Sequence, residues 1–307
     1  MGNGLYAWLQ PDGGWGWSNA GLIADSGETL LVDTLFDMAL TQDMLRAMAD
    51  AESAAATIQT IVNTHSNGDH CNGNGCCPKA EIIASIASAA EMDHESPEMM
   101  AALLEQADNL GDLGAYFAHC FGTFDFAGVE RRNPTRTFSG QLDLKVGNKD
   151  VHLIEVGPAH TQGDVLVHVP AEKAVYTGDI LFIEGTPIMW TGPVSNWINA
   201  CDQMLALDID VVVPGHGPIT DKNGVRAVRD YLAYITQQAK ARFDAGMSDP
   251  NEAARDIALN DYESWGDAER IIINVNTLYR EFQGITEAPP AADLFGPMAQ
   301  LYFDRNR

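Results

Sequence analysis

Residues 57–75 read TIQTIVNTHSNGDHCNGNG, and the reading of this stretch decides the fold. Its first half, TIQTIVN, is a short β-branched run of the kind that suits a strand. The run leads directly into a polar loop rich in glycine and asparagine, which carries His65, Asp69 and His70 within six residues. Functional groups concentrate on loops of this type, because a rigid strand aims them while the loop leaves them accessible.

Working outward, the preceding segment 38–56 is rich in Ala, Leu and Met and reads as a helix. Ahead of it, GLYAWLQ, SNAGLIAD and TLLVDTL read as strands parted by Gly, Asp and Ser turns. After the loop, residues 82–92 read as a further helix, which completes an α/β pattern. Residues 96–126 are helical in composition through MMAALLEQ and LGAYFAHCF and interrupt two β-rich regions, so they read as a helical insertion. Beyond them QLDLKVGN, DVHLIEVG, DVLVHVP and KAVYTGDILF alternate as antiparallel strands do, and VVVPGHG reads as a last short strand. From 225 to 307 the chain reads as a helical C-terminal extension. No repeat or linker divides the chain, and the expectation is one domain over 1–307.

Three more strand-end segments carry ligand-type side chains: His160 in GPAHTQGD, Asp179 in YTGDILF and His216 in VPGHGP. With His65, Asp69 and His70 they make six imidazole and carboxylate groups, each in a glycine-bearing loop. Such a set suits zinc, iron or manganese. His94, His119, His152 and His168 lack that context and read as ordinary structural histidines.

The four segments together resemble the metallo-β-lactamase superfamily. The signature H-x-H-x-D-H is matched by HSNGDH at residues 65–70, G-H-T-x-G by AHTQG around His160, T-G-D by the segment ending at Asp179, and P-G-H-G by the segment holding His216. LLVDT, with Asp33, matches the early strand and its supporting aspartate. The resemblance covers roughly residues 18–220. It implies an αββα sandwich with the site at one edge of the paired sheets, and one or two divalent ions, zinc first and iron or manganese as alternatives.

In one place the chain departs from the pattern: Asn67 stands where the second histidine of H-x-H belongs. The resemblance places Asp69, His70, His216 and a bridging Asp179 in one metal position. It leaves His65, His160 and Asp179 in the other, with Asn67 a weak oxygen ligand or none. It further implies attack on a carbonyl by a metal-bound hydroxide, with Asp69 orienting the nucleophile or passing a proton to the leaving group. The expected activity is hydrolysis of a small ester, lactone, thioester or amide, a β-lactam included. The alternative is a mononuclear non-haem iron dioxygenase resembling the persulfide dioxygenases, with His65, His160 and Asp179 as its triad. A third reading is an inert binding protein, against which six retained ligand-type residues argue.

Charge narrows the partners. With 43 Asp and Glu against 18 Lys and Arg, the formal charge is −25, and a polynucleotide substrate would lack the basic surface it requires. No apolar run reaches membrane-spanning length. An odd count of five cysteines, two of them adjacent, does not read as a disulfide framework, and the expected location is the cytoplasm. A ligand role for Cys71 is disfavoured, since Asp179 fills the position where some lactamases place a cysteine. Trp15, Trp17, Trp190 and Trp197 are the candidate substrate-binding aromatics, core packing being the rival reading for each. Met99, Met100, Phe117 and Phe121 are candidates for the underside of a lid. The C-terminal helices could dock on their own domain or on a second copy of the chain.

Overall fold

Period-two alternation sorts the apolar residues of each strand between two faces, and here both faces of most strands are covered. The computed structural model describes residues 1–93 and 96–306, apart from the side chains of residues 291 and 292, so His94 lies outside the described residues. The chain runs β1 (Leu5–Trp8), β2 (Ala20–Asp25), β3 (Glu28–Val32), α1 (Met38–Ala51), β4 (Thr60–Val62), α2 (Gly68–Cys71), β5 (Glu81–Ser85) and α3 (Ile86–Glu91). It continues through α4 (Pro97–Glu105), α5 (Gly111–Phe121), β6 (Arg136–Phe138), β7 (Gln141–Val146), β8 (Lys149–Glu155), β9 (Val165–Val169) and β10 (Ala174–Tyr176). The remainder is α6 (Val194–Ala206), β11 (Val211–Val213), α7 (Lys222–Asp244), α8 (Pro250–Asp256), α9 (Ile271–Gln283) and α10 (Ala291–Asn306).

Strands β1 to β6 form one sheet in sequence order, and β11-β10-β9-β8-β7 form the other. In β3, Leu30 and Val32 face the second sheet, where they meet Val165 and Val167 of β9, while Leu31 faces α1 and its Met44 and Met48. In β9 the same alternation sends Leu166 the other way, into the core shared with α6, α7 and α9. The result is the αββα sandwich that the sequence suggests. Helix α1 starts where Asp37 accepts a hydrogen bond from the Leu40 amide at 2.8 Å, an N-cap.

The expected helix over 82–92 is corrected. Ile82 and Ile83 pair in parallel with Ile61 and Val62, so the segment opens as a buried strand. The helix begins only after Ser85, whose hydroxyl accepts from the Ser88 amide at 3.0 Å. Residues 96–126 form α4 and α5, and α10 packs back on α5, with ring centroids 5.3 Å apart for Tyr116 and Tyr302. Among the described residues no disulfide forms, and no helix is long and apolar enough to cross a membrane. Cys71 is buried against Ala84 and Met92, with its thiol 3.5 Å from the Ser66 carbonyl.

Candidate metal centre

Both sheets deliver ligand-type groups to one edge of the sandwich. From the first sheet, the loop after β4 carries His65, and the one-turn helix α2 carries Asp69 and His70. From the second come His160 in the loop between β8 and β9, Asp179 in a tight turn after β10, and His216 after β11. Asp179 is the common point. Its carboxylate oxygens lie 3.1 Å from His70 Nε2, 3.4 Å from both His160 Nε2 and His216 Nε2, and 3.8 Å from His65 Nε2. Asp69 stands 3.3 Å from His216 Nε2 and 3.7 Å from His70 Nε2. Gly215 is required for this approach, because a Cβ there would sit 2.0 Å from Asp179 Oδ1.

Each imidazole is oriented through its other nitrogen. His160 Nδ1 donates to the Ile188 carbonyl at 2.6 Å, and His216 Nδ1 to the Gly13 carbonyl at 3.1 Å. His70 Nδ1 donates to Asp33 Oδ2 at 2.9 Å. The Thr64 hydroxyl donates to the same Asp33 oxygen at 2.7 Å and accepts from His65 Nδ1 at 3.0 Å. These partners fix the tautomers by the hydrogen-bond network and present all four Nε2 atoms to the centre.

The electrostatics call for positive charge. Burial pushes the Asp179 carboxyl up, but the facing imidazoles of His216, His70 and His65 outweigh it and hold it well below the usual carboxylate range. Burial likewise opposes protonation of His70, yet Asp179, Asp69 and Asp33 raise it well above its ordinary value, and the same contest takes His216 to about 9. For His65 and His160 burial prevails, and both fall. His65 Nε2, His70 Nε2 and Asp179 Oδ1 are also buried without a hydrogen-bond partner, each at a cost of roughly 1–3 kcal/mol. A divalent cation would satisfy all three, so the residues fit a metal.

Among the described residues, two groups of three donors lie close enough to share an ion: His65, His70 and Asp179, and Asp69, His70 and His216. This regroups the expected sets, because His65 joins His70 rather than His160. His160 keeps its 3.4 Å approach to Asp179 and also meets Asn67, whose side-chain oxygen position lies 2.8 Å from His160 Nε2. With Nδ1 already donating to Ile188, that contact is satisfied when the amide turns its NH₂ towards the imidazole lone pair. Asn67 thus occupies the lone pair a metal would need.

Residues 13–216 match the sequence profile of the metallo-beta-lactamase superfamily, about two-thirds of the chain. The chain belongs to the metallo-β-lactamase superfamily. It is 26% identical over 203 residues to the 2,4-dinitroanisole O-demethylase subunit alpha of a Nocardioides species, covering 63% of this chain and 51% of that one. With a hydroxyacylglutathione hydrolase of Brucella anthropi it shares 29% over 246 residues, covering 74% and 79%. A solved structure, the stereoselective inverting sec-alkylsulfatase Pisa1 from a Pseudomonas species, superposes with a TM-score of 0.68 at 16% identity, over 92% of this chain and 50% of that one. That last likeness is one of fold. The chain spans about half the length of the demethylase subunit and of the alkylsulfatase.

Members of this superfamily bind divalent metals, and here a cavity of about 550 Å³ opens on the metal centre, bordered by Asp69, His160, Asp179 and His216. Trp15 and Trp190 line it; Trp17 and Trp197 do not. Trp17 packs on Phe124 with ring centroids 4.8 Å apart. Trp197, in the first turn of α6, is fully buried, donates from Nε1 to the Ile180 carbonyl at 2.9 Å and backs the His160 ring at 5.8 Å. Its part is packing behind a ligand, which removes it from the substrate-binding candidates. Met99, Met100, Phe117 and Phe121 line the cavity, so the insertion's apolar face does border the cleft. Sequence reasoning missed Arg270 and Phe295, which reach the cavity from the C-terminal region. No motif marks either residue. Phe182 was missed too, although its place three residues after Asp179 was a signal, and its ring stacks on His216 at 4.9 Å.

Proposed function

We propose that the chain is a metal-dependent hydrolase of a small ester, lactone, thioester or amide. The observation that carries this reading is one buried carboxylate, Asp179, facing four imidazole Nε2 atoms beside an apolar cavity. Asp69, His70, His216 and Asp179 would hold a divalent ion, zinc being the first choice for nitrogen and oxygen donors. A second and weaker position would lie at His65 and Asp179, sharing His70, where Asn67 engages His160. A divalent ion there polarises a carbonyl and brings the pKa of water towards neutrality. The rest falls to the protein. Asp69, with 13% of its side chain exposed, borders the cavity and can orient a water or hand a proton to the departing group. Phe182 and Ile188 are buried beside two of the histidines: the Phe182 ring stacks on His216, and the Ile188 carbonyl accepts from His160. Kinship with a hydroxyacylglutathione hydrolase supports hydrolysis over the other reading, an iron dioxygenase built on His65, His160 and Asp179. So does the contact of Asn67 with His160, which engages one member of that triad.

The test is elemental analysis of protein purified without added metal, followed by a panel of esters, lactones, thioesters and β-lactams, with Asp179→Ala as control. Zinc and turnover of at least one class, lost in the variant, are expected. Iron with oxygen uptake on a persulfide, and no hydrolysis, would overturn the proposal.

A further inference from the structure

We infer that the cavity takes an uncharged ligand bearing a medium-chain alkyl or aryl group, and that under the hydrolase reading, on which this rests, the substrate is a neutral ester of that kind. Water then adds across the acyl C–O bond, giving a carboxylic acid and an alcohol, the alkoxide oxygen taking the proton.

Size is the first reason. A scissile bond needs only the space beside Asp69 and Asp179, whereas about 550 Å³ lies within the range that encloses a whole drug-sized ligand. Walls are the second: Trp15, Leu103, Phe117, Phe121, Trp190 and Phe295 come from four separated parts of the chain and have aliphatic and aromatic side chains, with the buried Trp15 Nε1–H unpartnered among the described residues. The mouth agrees with them. Met99 and Leu110, which also border the cavity, are 47% and 41% exposed, apolar side chains left in water where a ligand would enter.

Charge decides between neutral and anionic ligands. Among the described residues, Arg270 is the only cationic side chain other than the ligand histidines that borders the cavity. Its guanidinium lies 2.8 Å from Asp267 Oδ2, donates to the Thr186 carbonyl at 3.1 Å and stacks 4.3 Å from the Trp15 ring, with 1% of the residue exposed. Asp267 pairs its charge inside the protein, while Nε, also buried, has no hydrogen-bond partner among the described residues. A sulfate or carboxylate on the substrate would therefore meet a largely apolar wall on which Arg270 is already paired with Asp267, in a chain of formal charge −25.

The experiment compares zinc-loaded protein on p-nitrophenyl acetate, butyrate and octanoate, on octyl sulfate and on a glutathione thioester. Tryptophan fluorescence titrations with 1-butanol, 1-octanol and octanoate ion follow binding alone. Each buried methylene contributes about fourfold, so kcat/KM should rise at least ~100-fold from acetate to octanoate. Octyl sulfate and the glutathione thioester should fall at least ~100-fold below octanoate, and octanol should bind at least ~10-fold more tightly than octanoate ion, since a buried unpaired charge is penalised. Leu103→Asp, at a partly exposed position on the mouth, should lower the octanoate-to-acetate ratio ~10-fold or more, because it sets a carboxylate where a chain of methylenes would lie. A flat chain-length profile, or preference for octyl sulfate, would overturn the ligand class and leave the hydrolase reading standing. Tight octanol binding without turnover of any ester would uphold the ligand class and overturn the hydrolase reading.

Discussion

Replacing Asp33 by asparagine should weaken metal binding throughout the centre without unfolding the chain. Asp33 lies at φ +63°, a left-handed conformation that asparagine adopts more readily than most residues, so the backbone should accept the change. The side chain should not be equivalent. Asp33 Oδ1 accepts from the Thr64 amide at 2.7 Å, while Oδ2 accepts from both His70 Nδ1 and the Thr64 hydroxyl. An asparagine has one oxygen for these two places. If it keeps the Thr64 amide, its NH₂ faces His70 Nδ1 and demands a lone pair there, which moves the imidazole proton to Nε2 and removes the ligand. Turning the amide over instead sets NH₂ against the Thr64 N–H. Removing such an outer partner ordinarily costs ~10–100-fold in metal affinity, or about 1.4–2.7 kcal/mol. His70 belongs to both close donor groups, so both should weaken. A competition titration of metal-free protein against a chromophoric chelator measures the loss, and circular dichroism of the metal-free variant checks the fold. Unchanged affinity in a folded variant, or a loss confined to one position, would refute the reasoning.

Asn67→His should raise affinity at the weaker position about tenfold and move the stoichiometry towards two metals, because it replaces an amide held on His160 by an imidazole donor; equal affinities at both positions in the unmodified protein, found by titration with anomalous scattering, would sink this. Gly215→Ala should cost ~1–3 kcal/mol and lower metal content, since its Cβ would press on Asp179 Oδ1; unfolding midpoint and elemental analysis check both. Tyr116→Phe should lower the unfolding free energy by ~1–3 kcal/mol, as Glu269 loses a buried donor at 2.8 Å; an unchanged urea midpoint would count against it.

The sandwich was legible because its strands are short apolar or alternating runs, and because the candidate ligand residues sit in glycine-bearing loops at strand ends. Ile82 and Ile83 misled the reading, since a short apolar run has no periodicity to separate a strand from a helix, and only the parallel pairing with β4 settles it. Asn67 could be seen as a departure, but not its contact with His160, 93 positions further on. Trp190 and Trp197 lie seven residues apart. What separates them is the start of α6, which turns one into the core and leaves the other at the cavity. Arg270 and Phe295 could not be read at all, because their place at the site depends on how α9 and α10 return across the sandwich.

These positions also divide the work between parts of the chain. Every residue of the candidate metal centre lies within the stretch that matches the superfamily, and its histidines are oriented by Asp33, Thr64 and the Gly13 and Ile188 carbonyls, while Gly215 leaves space for Asp179. Backbone carbonyls and a glycine at an edge between two sheets depend little on side-chain identity elsewhere. The cavity is built otherwise. Its walls come in large part from α4 and α5, inserted between two strands, and from Arg270 and Phe295, which follow the matched stretch, with Trp15 and Trp190 completing them. A substitution in those helices leaves the strand-end geometry intact and changes what can lie beside it. Under the function proposed above, the strand ends would fix what chemistry can occur, and the helices which molecule is brought to it.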